Sequence, residues 1–319
     1  MTSSTFLIAL DVGLSNPVAG KSFRDIISQG EVLGISLDGK QVSTILSDSH
    51  FLSLPDGVIY HPANQRLYMT NMGVPPLNDG SVISTRLDGT DPQIILSKGQ
   101  IHTPKQIALD KDNEKLYISD REGLRVMRCN LDGSGLETLI KTGDYKTPSD
   151  ASDSTKWCVG IAVAPRRNAF YWTQKGPSKG TQGRVFCSRI DFEGERQAIC
   201  LLDHLAEPID LEIDQESNTL YWTDRGELPY GNTFNRVQLD ESGLRLKKEA
   251  ADDHTGLKHE IIVQNFDEAI GLARNPEDGR WFVSDMGGTI WSFDSDGGNK
   301  SVVFQDKRRS FTGIALARE

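Results

Sequence analysis

The sequence has few cysteines, no long apolar stretch and no excess of basic residues, and each shortage excludes a class of protein. Its 319 residues include four cysteines, too few for a disulfide scaffold of this size. Lys and Arg number 35 against 45 Asp and Glu, and the net charge of -10 argues against sequence-independent binding to nucleic acid or anionic lipid. No run approaches the ~20 apolar residues of a membrane helix. We therefore expect a globular protein with no nucleic-acid partner and no membrane insertion.

The start of the chain lacks the pattern of a secretory signal. Residues 6–10 are apolar, but no basic residue precedes them and Asp11 follows directly. Cys187 and Cys200 are about equally far from a hairpin turn and can face each other, yet neighbouring strands rarely meet disulfide geometry. We therefore expect reduced cysteines and a cytoplasmic location.

What the sequence does contain is an internal repeat, and a missed repeat leads to the wrong fold. Five segments match one another and a sixth, residues 6–11, is a degenerate copy; their last residues recur every 49 to 61 positions. The five clear copies are residues 67–71, 116–120, 170–174, 220–224 and 281–285.

Two further markers accompany every copy. A short apolar strand precedes it in the repeat, and a second strand ending in an Asp-Gly-type turn follows it, as in residues 86–89 and 130–133. Four short strands repeated six times predict an all-β, six-bladed β-propeller that occupies residues 1–319 as one domain. The last apolar strand, residues 313–316, is expected to join the blade begun by residues 6–11 and so close the ring.

Motifs such as Leu220-Tyr-Trp-Thr-Asp224 resemble the YWTD propellers of lipoprotein-receptor ectodomains, and the resemblance covers nearly the whole chain. The cysteine-rich modules that flank those propellers are not found here, so we do not expect receptor biology. Alternation sends Tyr and Thr of the motif to one face and Leu and Trp to the other, so both faces pack against neighbouring blades. The carboxylates of Asp120, Asp224 and Asp285 are expected to accept hydrogen bonds from backbone amides of the adjoining turns.

The repeat also sorts the loops onto two faces. If the strands of a blade are labelled A to D with the YWTD segment as B, the B-to-C and D-to-A connections share one face. These are the long connections: residues 12–30, 72–80, 175–183 and 225–235, and residues 47–56, 98–105 and 143–158. The A-to-B turns are short, and residues 240–260 form one longer C-to-D insertion. Long loops on one face of a rigid scaffold predict a functional site there.

Residues just before strand A should lie nearest the axis, which favours Asp56, Lys105, Trp157 and Glu268. Simpler structural roles are open for each of them: Trp157 can cap the channel, and Lys105 and Asp56 can form a surface pair. The same loops contribute further polar and aromatic candidates, which can equally be solvated: His50, Phe51, His102 and Tyr230. His204 can simply finish a strand, and residues 307–309 form a basic cluster typical of a solvated loop.

These candidate residues meet the requirements of some reaction classes and not of others. A metal-dependent lactonase needs converging carboxylates and an Asn; Asp56, Asp210 and Glu268 supply some of these, but no Asn is clearly placed. No zinc spacing, Gly-x-Ser-x-Gly elbow, phosphate loop or Rossmann unit is found. We therefore expect no cofactor and no metal, and a site that binds an apolar small molecule or orients reactants.

An acidic, free-standing YWTD-like propeller of this length also resembles the fungal hetero-Diels–Alderases of tropolone-sesquiterpenoid biosynthesis, through the repeats themselves, including residues 220–224. That resemblance implies addition of an o-quinone methide, derived from a tropolone or phenol, across an alkene of a humulene-type terpene. It identifies no catalytic residues. Our assignment gives Lys105 or His102 the donor role at the quinone-methide carbonyl, and Asp56 assistance in the preceding loss of water.

Trp157, Phe51 and Tyr230 are assigned to stack on the flat ring or enclose the terpene. His50 and Glu268 are assigned as further lining residues. The alternative from another class is a non-catalytic module that uses the same face to bind a peptide or protein loop.

Overall fold

The computed structural model describes residues 5–14, 22–247 and 257–318. Parts of two predicted segments, the connection 12–30 and the insertion 240–260, lie outside the described residues. No helix within the described ranges is both long and apolar enough to cross a bilayer.

The chain is a six-bladed β-propeller, as predicted: it forms six antiparallel sheets of four strands, and each YWTD-type segment is strand B of its sheet. It divides into two compact units, residues 1–107 with 270–319 and residues 108–269. Blades 1, 2 and 6 belong to the first unit, and blades 3, 4 and 5 to the second, in chain order of their B strands.

The first unit contains three four-stranded blades. Blade 1 consists of β1 (Thr5–Asp11), β2 (Glu31–Ser36), β3 (Val42–Leu46) and β24 (Phe311–Arg318), with helix α1 (Phe23–Ile27) between β1 and β2. Blade 2 consists of β4 (Pro55–His61), β5 (Arg66–Asn71), β6 (Ser81–Arg86) and β7 (Gln93–Leu96), with a 3-10 turn at Pro75–Leu77. Blade 6 consists of β20 (Ala269–Arg274), β21 (Trp281–Asp285), β22 (Thr289–Phe293) and β23 (Ser301–Gln305).

The second unit repeats this arrangement, and its first strand begins within the first unit. Blade 3 consists of β8 (Pro104–Asp110), β9 (Lys115–Asp120), β10 (Arg125–Asn130) and β11 (Glu137–Lys141). Blade 4 consists of β12 (Cys158–Ala164), β13 (Ala169–Gln174), β14 (Gly183–Arg189) and β15 (Ile199–Leu205), with α2 (Pro148–Ala151) and 3-10 turns at Ser154–Lys156 and Pro165–Arg167. Blade 5 consists of β16 (Pro208–Asp214), β17 (Thr219–Asp224), β18 (Thr233–Gln238) and β19 (Glu260–Gln264).

The predicted joining of the chain ends in one blade is confirmed. β24 is strand A of blade 1 and pairs antiparallel with β1, from Thr5 opposite Arg318 to Asp11 opposite Phe311. The N-terminal strand therefore has partners on both edges, and neither β1 nor β24 is left as an unpaired strand at this point of the sheet.

The hydroxyl residue of the motif links neighbouring blades, which explains why the repeat carries Thr or Ser there. Thr173 accepts a hydrogen bond from Gly160 N of its own strand A (2.7 Å) and donates to Ile209 O of the next blade's strand A (2.8 Å). A Cβ at Gly160 would stand 2.0 Å from that same carbonyl, so strand A needs glycine to let the next strand approach.

Blade 1 solves the same problem differently, because its degenerate motif has Leu10 at the hydroxyl position. Thr312 on strand A of this blade donates to Pro55 O of the next strand A, at 2.9 Å. The link between consecutive A strands is thus kept although the motif residue that normally makes it is absent.

The alternation predicted for the motif is confirmed. Leu220 and Trp222 of blade 5 pack with Tyr171 of blade 4 in one apolar cluster, and Tyr171 and Trp222 are fully buried. Burying each of these aromatic side chains removes roughly 150–250 Å² from water, which makes the interface between blades a main source of stability.

Two of the three predicted carboxylate–amide contacts are confirmed. Asp224 accepts from Glu207 N and Gly226 N, both at 2.9 Å, and Asp285 accepts from Thr289 N at 2.9 Å. Asp120 forms an ion pair with the Arg125 guanidinium at 2.8 Å.

The cysteines of blade 4 do not face each other across the hairpin. Cys187 lies opposite Ile199, and Cys200 lies opposite Phe186, because the register shifts along β14 and β15. Both are free thiols, Cys187 buried and Cys200 exposed.

Candidate functional site

Several strands begin at residues other than those predicted from the sequence. Asp56 and Lys105 are the second residues of β4 and β8 and not loop residues, whereas Trp157 and Glu268 directly precede β12 and β20 as predicted. Strand β8 starts early because Pro104 tolerates the first strand position, where its ring packs against Gly80.

A second border differs in blade 5. The connection predicted as residues 225–235 ends at Asn232, because β18 begins at Thr233, and Phe234 is a fully buried strand residue. His204 lies in β15 with an 86% exposed side chain, so the prediction that it finishes a strand is confirmed.

Asp56 and Lys105 are brought together on neighbouring A strands. Lys105 Nζ donates to Asp56 Oδ2, and Gln106 Nε2 donates to Asp56 Oδ1 at 2.9 Å. Asp56 is 1% exposed and the Lys105 side chain 12%, so this is a buried pair and not the surface pair considered as an alternative. Removing one partner of such a pair leaves an uncompensated buried charge and typically costs ~3–5 kcal/mol.

Apolar loop residues lie beside this ion pair. Lys105 Nζ is 3.3 Å from Met72 Sδ. Met72 belongs to an apolar loop cluster in which its amide donates to Leu54 O at 3.0 Å. The members of the apolar loop cluster are Val12, Ile27, Leu54, Met72, Val74 and Met286. An ammonium group is therefore held by a carboxylate at the edge of a mostly buried apolar cluster.

The other candidates of the first unit are less closely connected with the pair. His102 is 7% exposed and its Nδ1 lies 2.9 Å from Thr103 Oγ1. His50 is exposed and contacts Phe51 edge to face, with ring centroids 5.1 Å apart. Phe51 packs partly against the apolar core between blades 1 and 2. Its ring therefore contributes to the core of this unit.

A polar cavity of about 310 Å³ also opens among the long connections of the first unit. Its central group is Arg309, which donates to Asp11 (2.8 Å) and Glu31 (2.5 Å). Burial raises the pKa of Asp11, although Gly13 N and Arg309 oppose the shift. The basic cluster 307–309 is thus only partly solvated: Arg308 is 80% exposed, but Arg309 is 23% exposed and anchors this cavity. Its volume is at the lower end of small-molecule sites, ~300–1,000 Å³.

In the second unit, Trp157 is positioned by the folded D-to-A connection. Its indole Nε1 donates to Ala151 O of α2 at 3.2 Å, and Thr142 Oγ1 donates to Lys156 O at 2.7 Å. The Arg121 guanidinium lies 5.2 Å and the Lys175 ammonium 5.9 Å from the centroid of the Trp157 ring, within cation–π range.

The charged groups around Trp157 form a connected network. Lys175 Nζ donates to Glu207 Oε1 at 2.6 Å, and Arg225 Nε donates to the same oxygen at 2.9 Å. Burial lowers the pKa of Lys175, while Glu207 opposes that shift. Burial acts to raise the pKa of Glu207, but Arg225 and Lys175 bring it below its ordinary value. Glu268 is 55% exposed and lies 3.8 Å from Arg225.

Tyr230 stands apart from this network. It is 54% exposed in the connection that ends at Asn232, beside the equally exposed Leu228. The Tyr230 side chain is available for contact. Its backbone carbonyl accepts a hydrogen bond from Thr233 Oγ1 at 3.3 Å.

Arg121, Lys175 and Arg225 are the functional candidates that sequence reasoning missed. They occupy one repeat position, the residue directly after the motif. In the first unit the same position holds Val12, Met72 and Met286, all in the apolar loop cluster. A comparison of the residue that follows each motif would have revealed this division from the sequence.

The carboxylates considered for a metal are not arranged as ligands. Asp56 is bound to Lys105 and Gln106, and Asp210 Oδ1 accepts from Leu211 N at 2.9 Å. Across the ranges that the structure describes, no group of three or more His, Cys, Asp or Glu side chains is placed to hold a metal ion.

The sheet topology and the motif contacts define a YWTD-type six-bladed β-propeller. A solved structure of the nidogen–laminin complex matches it with a TM-score of 0.69 and 16% identity, over 98% of each chain, which supports the fold alone. No family model matches the sequence.

Two fungal relatives are much more similar in sequence. The Pyricularia oryzae protein named low-density lipoprotein receptor-related protein 1 is 38% identical over 97% of both chains. The chain belongs to the family of this protein. A Cochliobolus heterostrophus protein named 3-hydroxyacyl-CoA dehydrogenase-like protein LAM1 is 43% identical over 98% of the present chain, which spans 64% of that relative's length.

Proposed function

We propose that this propeller is a cofactor-independent, cytoplasmic enzyme of secondary metabolism that acts as an intermolecular hetero-Diels–Alderase. It joins an o-quinone methide derived from a tropolone or phenol to an alkene of a humulene-type sesquiterpene. The observation that carries the proposal is the Lys105 ammonium, held by Asp56 and 3.3 Å from Met72 of the apolar loop cluster. Both relatives are fungal proteins, which supports a role for this kind of propeller in fungal metabolism.

The reaction needs orientation and one polarising donor. The C=O and C=C π bonds of the quinone methide and the π bond of the alkene become two new σ bonds and one new C=C bond. No atom leaves, and no electrons are exchanged with a cofactor. Alignment of the two reactants contributes roughly 7–11 kcal/mol. A hydrogen bond from Lys105 to the quinone-methide carbonyl lowers the acceptor orbital, and such a donor is typically worth ~3–4 kcal/mol.

The other assignments follow from burial. The 1% exposure of Asp56 and its bonds to Lys105 and Gln106 favour a positioning role for this carboxylate over direct contact with the substrate during loss of water. His102 remains the second candidate donor. Trp157, Phe51, Tyr230, His50 and Glu268 remain proposed lining residues for the ring and the terpene.

The donor assignment is tested by turnover of the two partners with Lys105→Gln and His102→Ala. Lys105→Gln keeps a neutral donor within reach of Asp56, so the fold is expected to survive. We expect about a 100-fold lower rate for Lys105→Gln, because a charged donor is lost from an apolar setting. Lys307→Ala, which removes an exposed lysine bonded only to Gly287 O among its described contacts, is the control and should keep the full rate.

Full rate and stereoselectivity in both Lys105→Gln and His102→Ala would disprove the donor assignment. A folded wild-type protein that turns over none of these partners would disprove the reaction itself.

A non-catalytic binding role is the second candidate, because four large apolar side chains among the described residues are exposed on the connections between strands B and C: Leu14, Leu77, Leu228 and Tyr230. Such exposure suits contact with a protein loop. Thermal shift separates the candidates: stabilisation by tropolones or sesquiterpenes favours the cyclase, calcium-dependent stabilisation favours a lactonase, and silence from all three favours the binding module.

A further inference from the structure

A single set of repeat positions is chemically different in the second unit. The residue after the motif and the residue before strand A lie at the same end of each blade, joined by a backbone bond such as Arg225 N to Glu207 O at 3.1 Å. In blades 3 to 5 and the connections that leave them, these positions hold the cations and their partners described above: Arg121, Lys175, Arg225, Trp157, Glu207 and Glu268. We call this set the Trp157 network.

The Trp157 network has more buried positive charge than its carboxylates neutralise. Lys175 and Arg225 share one acceptor, Glu207 Oε1, so two cations face one buried carboxylate. Glu268 is only 3.8 Å from Arg225 and mostly in water, where screening weakens its attraction. The motif of blade 4 ends in Gln174 instead of Asp, which removes the carboxylate that would otherwise precede Lys175.

Two further carboxylates lie near these cations. Glu122 accepts from Arg121 Nε at 2.7 Å, so this pair is neutral and the excess belongs to Lys175 and Arg225. Asp224 accepts from the amide of Glu207, and burial raises its pKa to about 7, so its negative charge is partly suppressed near neutrality. The Trp157 network therefore favours an additional anion.

The geometry also selects the shape of that anion. The ring of Trp157 is partly exposed and fixed by its bond to Ala151 O, and both Arg121 and Lys175 lie within 6 Å of its centroid. Arg225 engages Glu207 through Nε and Nη2, while its Nη1 is 3.8 Å from Glu268 Oε2. A flat ring can stack on the indole while its acidic group reaches the Arg225 guanidinium.

We infer that the Trp157 network is a binding site for a planar aromatic anion, a carboxylate or an acidic enolate. The inference deepens the proposed function and rests on it for the shared lining residues Trp157 and Glu268; ligand binding and turnover are measured separately, so each can fail without the other. The ring stacks on Trp157, and Arg225 binds the negative charge in place of its weak contact with Glu268.

The test uses benzoate as the probe and benzamide as its neutral counterpart of the same shape, by isothermal titration calorimetry on the full chain. We expect benzoate to bind at least 10-fold more tightly than benzamide at low salt, and the difference to shrink as ionic strength rises. Arg225→Met should reduce benzoate affinity about 10-fold and leave benzamide unchanged. Trp157→Ala should weaken both ligands, because stacking does not depend on the charge.

Arg128→Met is the matched control, since Arg128 also lies over an aromatic ring, that of Tyr117, and pairs with Glu137 in the same unit. It should leave both affinities unchanged. Equal affinities for benzoate and benzamide would overturn the inference. So would the absence of benzoate binding, or a loss of benzoate affinity in Arg128→Met as large as that in Arg225→Met. Melting curves for every variant distinguish a lost site from a lost fold.

Discussion

Asp224, the last residue of the blade 5 motif, shows how a structural carboxylate acquires a pH dependence. It is 1% exposed and accepts backbone bonds from Glu207 and Gly226, yet burial outweighs these bonds and raises its pKa to about 7 from 3.8. Between these two pH values the folded chain holds a proton at this site that the unfolded chain has lost. Its contribution to stability is therefore complete at low pH and is lost as the pH rises through 7.

Asp224→Asn, which imitates the protonated carboxyl, should flatten this dependence. We expect the melting temperature of the wild-type protein to fall between pH 6 and pH 8, and the fall to be clearly smaller in Asp224→Asn. Scanning calorimetry at four pH values measures it. Asp11, whose pKa burial also raises, has the same sign and leaves a residual slope in the variant. Parallel pH profiles for both proteins would show that Asp224 does not titrate in this range.

Single residues were the least predictable level of this molecule. The positions of Asp56, Lys105, Trp157 and Glu268 near the start of strand A follow from the repeat, and the sequence alone suffices for that. Which of them form pairs does not follow from the repeat, because burial of the Asp56–Lys105 pair depends on how β4 and β8 approach each other. The role of Arg121, Lys175 and Arg225 became visible only when Glu207 was seen between two of them.

Among the elements, strand A shows the tightest steric constraint. A Cβ at Gly160 would meet Ile209 O at 2.0 Å and Thr173 Oγ1 at 2.9 Å, and neither atom is the flexible end of a long side chain. The link that Thr173 makes between β12 and β16 occupies the same space. Blades 4 and 5 can approach this closely only because strand A carries glycine here.

Gly160→Ala should therefore destabilise the protein by about 1–3 kcal/mol, the usual cost of overpacking a well-packed interior. Gly298→Ala is the matched control, since a Cβ there meets only the carboxylates of Asp296 (3.1 Å) and Asp294 (3.8 Å), in an exposed turn. It should change stability by less than ~0.5 kcal/mol. Urea denaturation of both variants measures the difference, and equal midpoints would refute the steric account of strand A.

The elements were largely predictable because three local signals coincide in each blade. The Asp-Gly turns, the alternating motif and the short apolar strand all depend on neighbouring residues, and local signals survive in any tertiary context. Where strands begin was less predictable. Proline starts β4 and β8 because glycine in the adjacent connection makes room for its ring, and that contact joins residues distant in sequence.

For the whole molecule, the pairing of β24 with β1 is the feature on which the fold most depends. Phe311 and Ile314 of β24 pack into the apolar cluster shared by blades 1 and 6, and Thr312 links blade 1 to Pro55 of blade 2. Losing this strand removes strand A of blade 1 and exposes β1 on one edge.

Deleting residues 312–319 should therefore abolish cooperative folding. We expect the truncated chain to be insoluble or to show no sigmoidal melting transition by circular dichroism. The point variant Arg318→Ala keeps the strand and removes an exposed ion pair with Glu277 and a long hydrogen bond to Thr5 Oγ1 (3.4 Å). It is the control and should melt within a few degrees of the wild type. A soluble truncation with a sharp transition would contradict the dependence of the fold on β24.

Two properties of the units bear on function at this scale. The first unit places apolar residues after its motifs and holds the Lys105 ammonium beside them, whereas the second places cations after its motifs around Trp157. The composition of the whole chain conceals this division, because the net charge of -10 averages over both. The first unit thus holds the proposed donor Lys105, and the second holds the site inferred above for a planar anion.

The central claim is catalysis of a cycloaddition without a cofactor, and the stereochemistry of the wild-type product tests it most directly. The purified chain is incubated with a quinone-methide precursor and a humulene-type alkene in the presence of EDTA, and the adduct is resolved by chiral chromatography. The account predicts a single enantiomer, formed well above the uncatalysed rate. A racemic adduct formed at the rate measured without protein would contradict it.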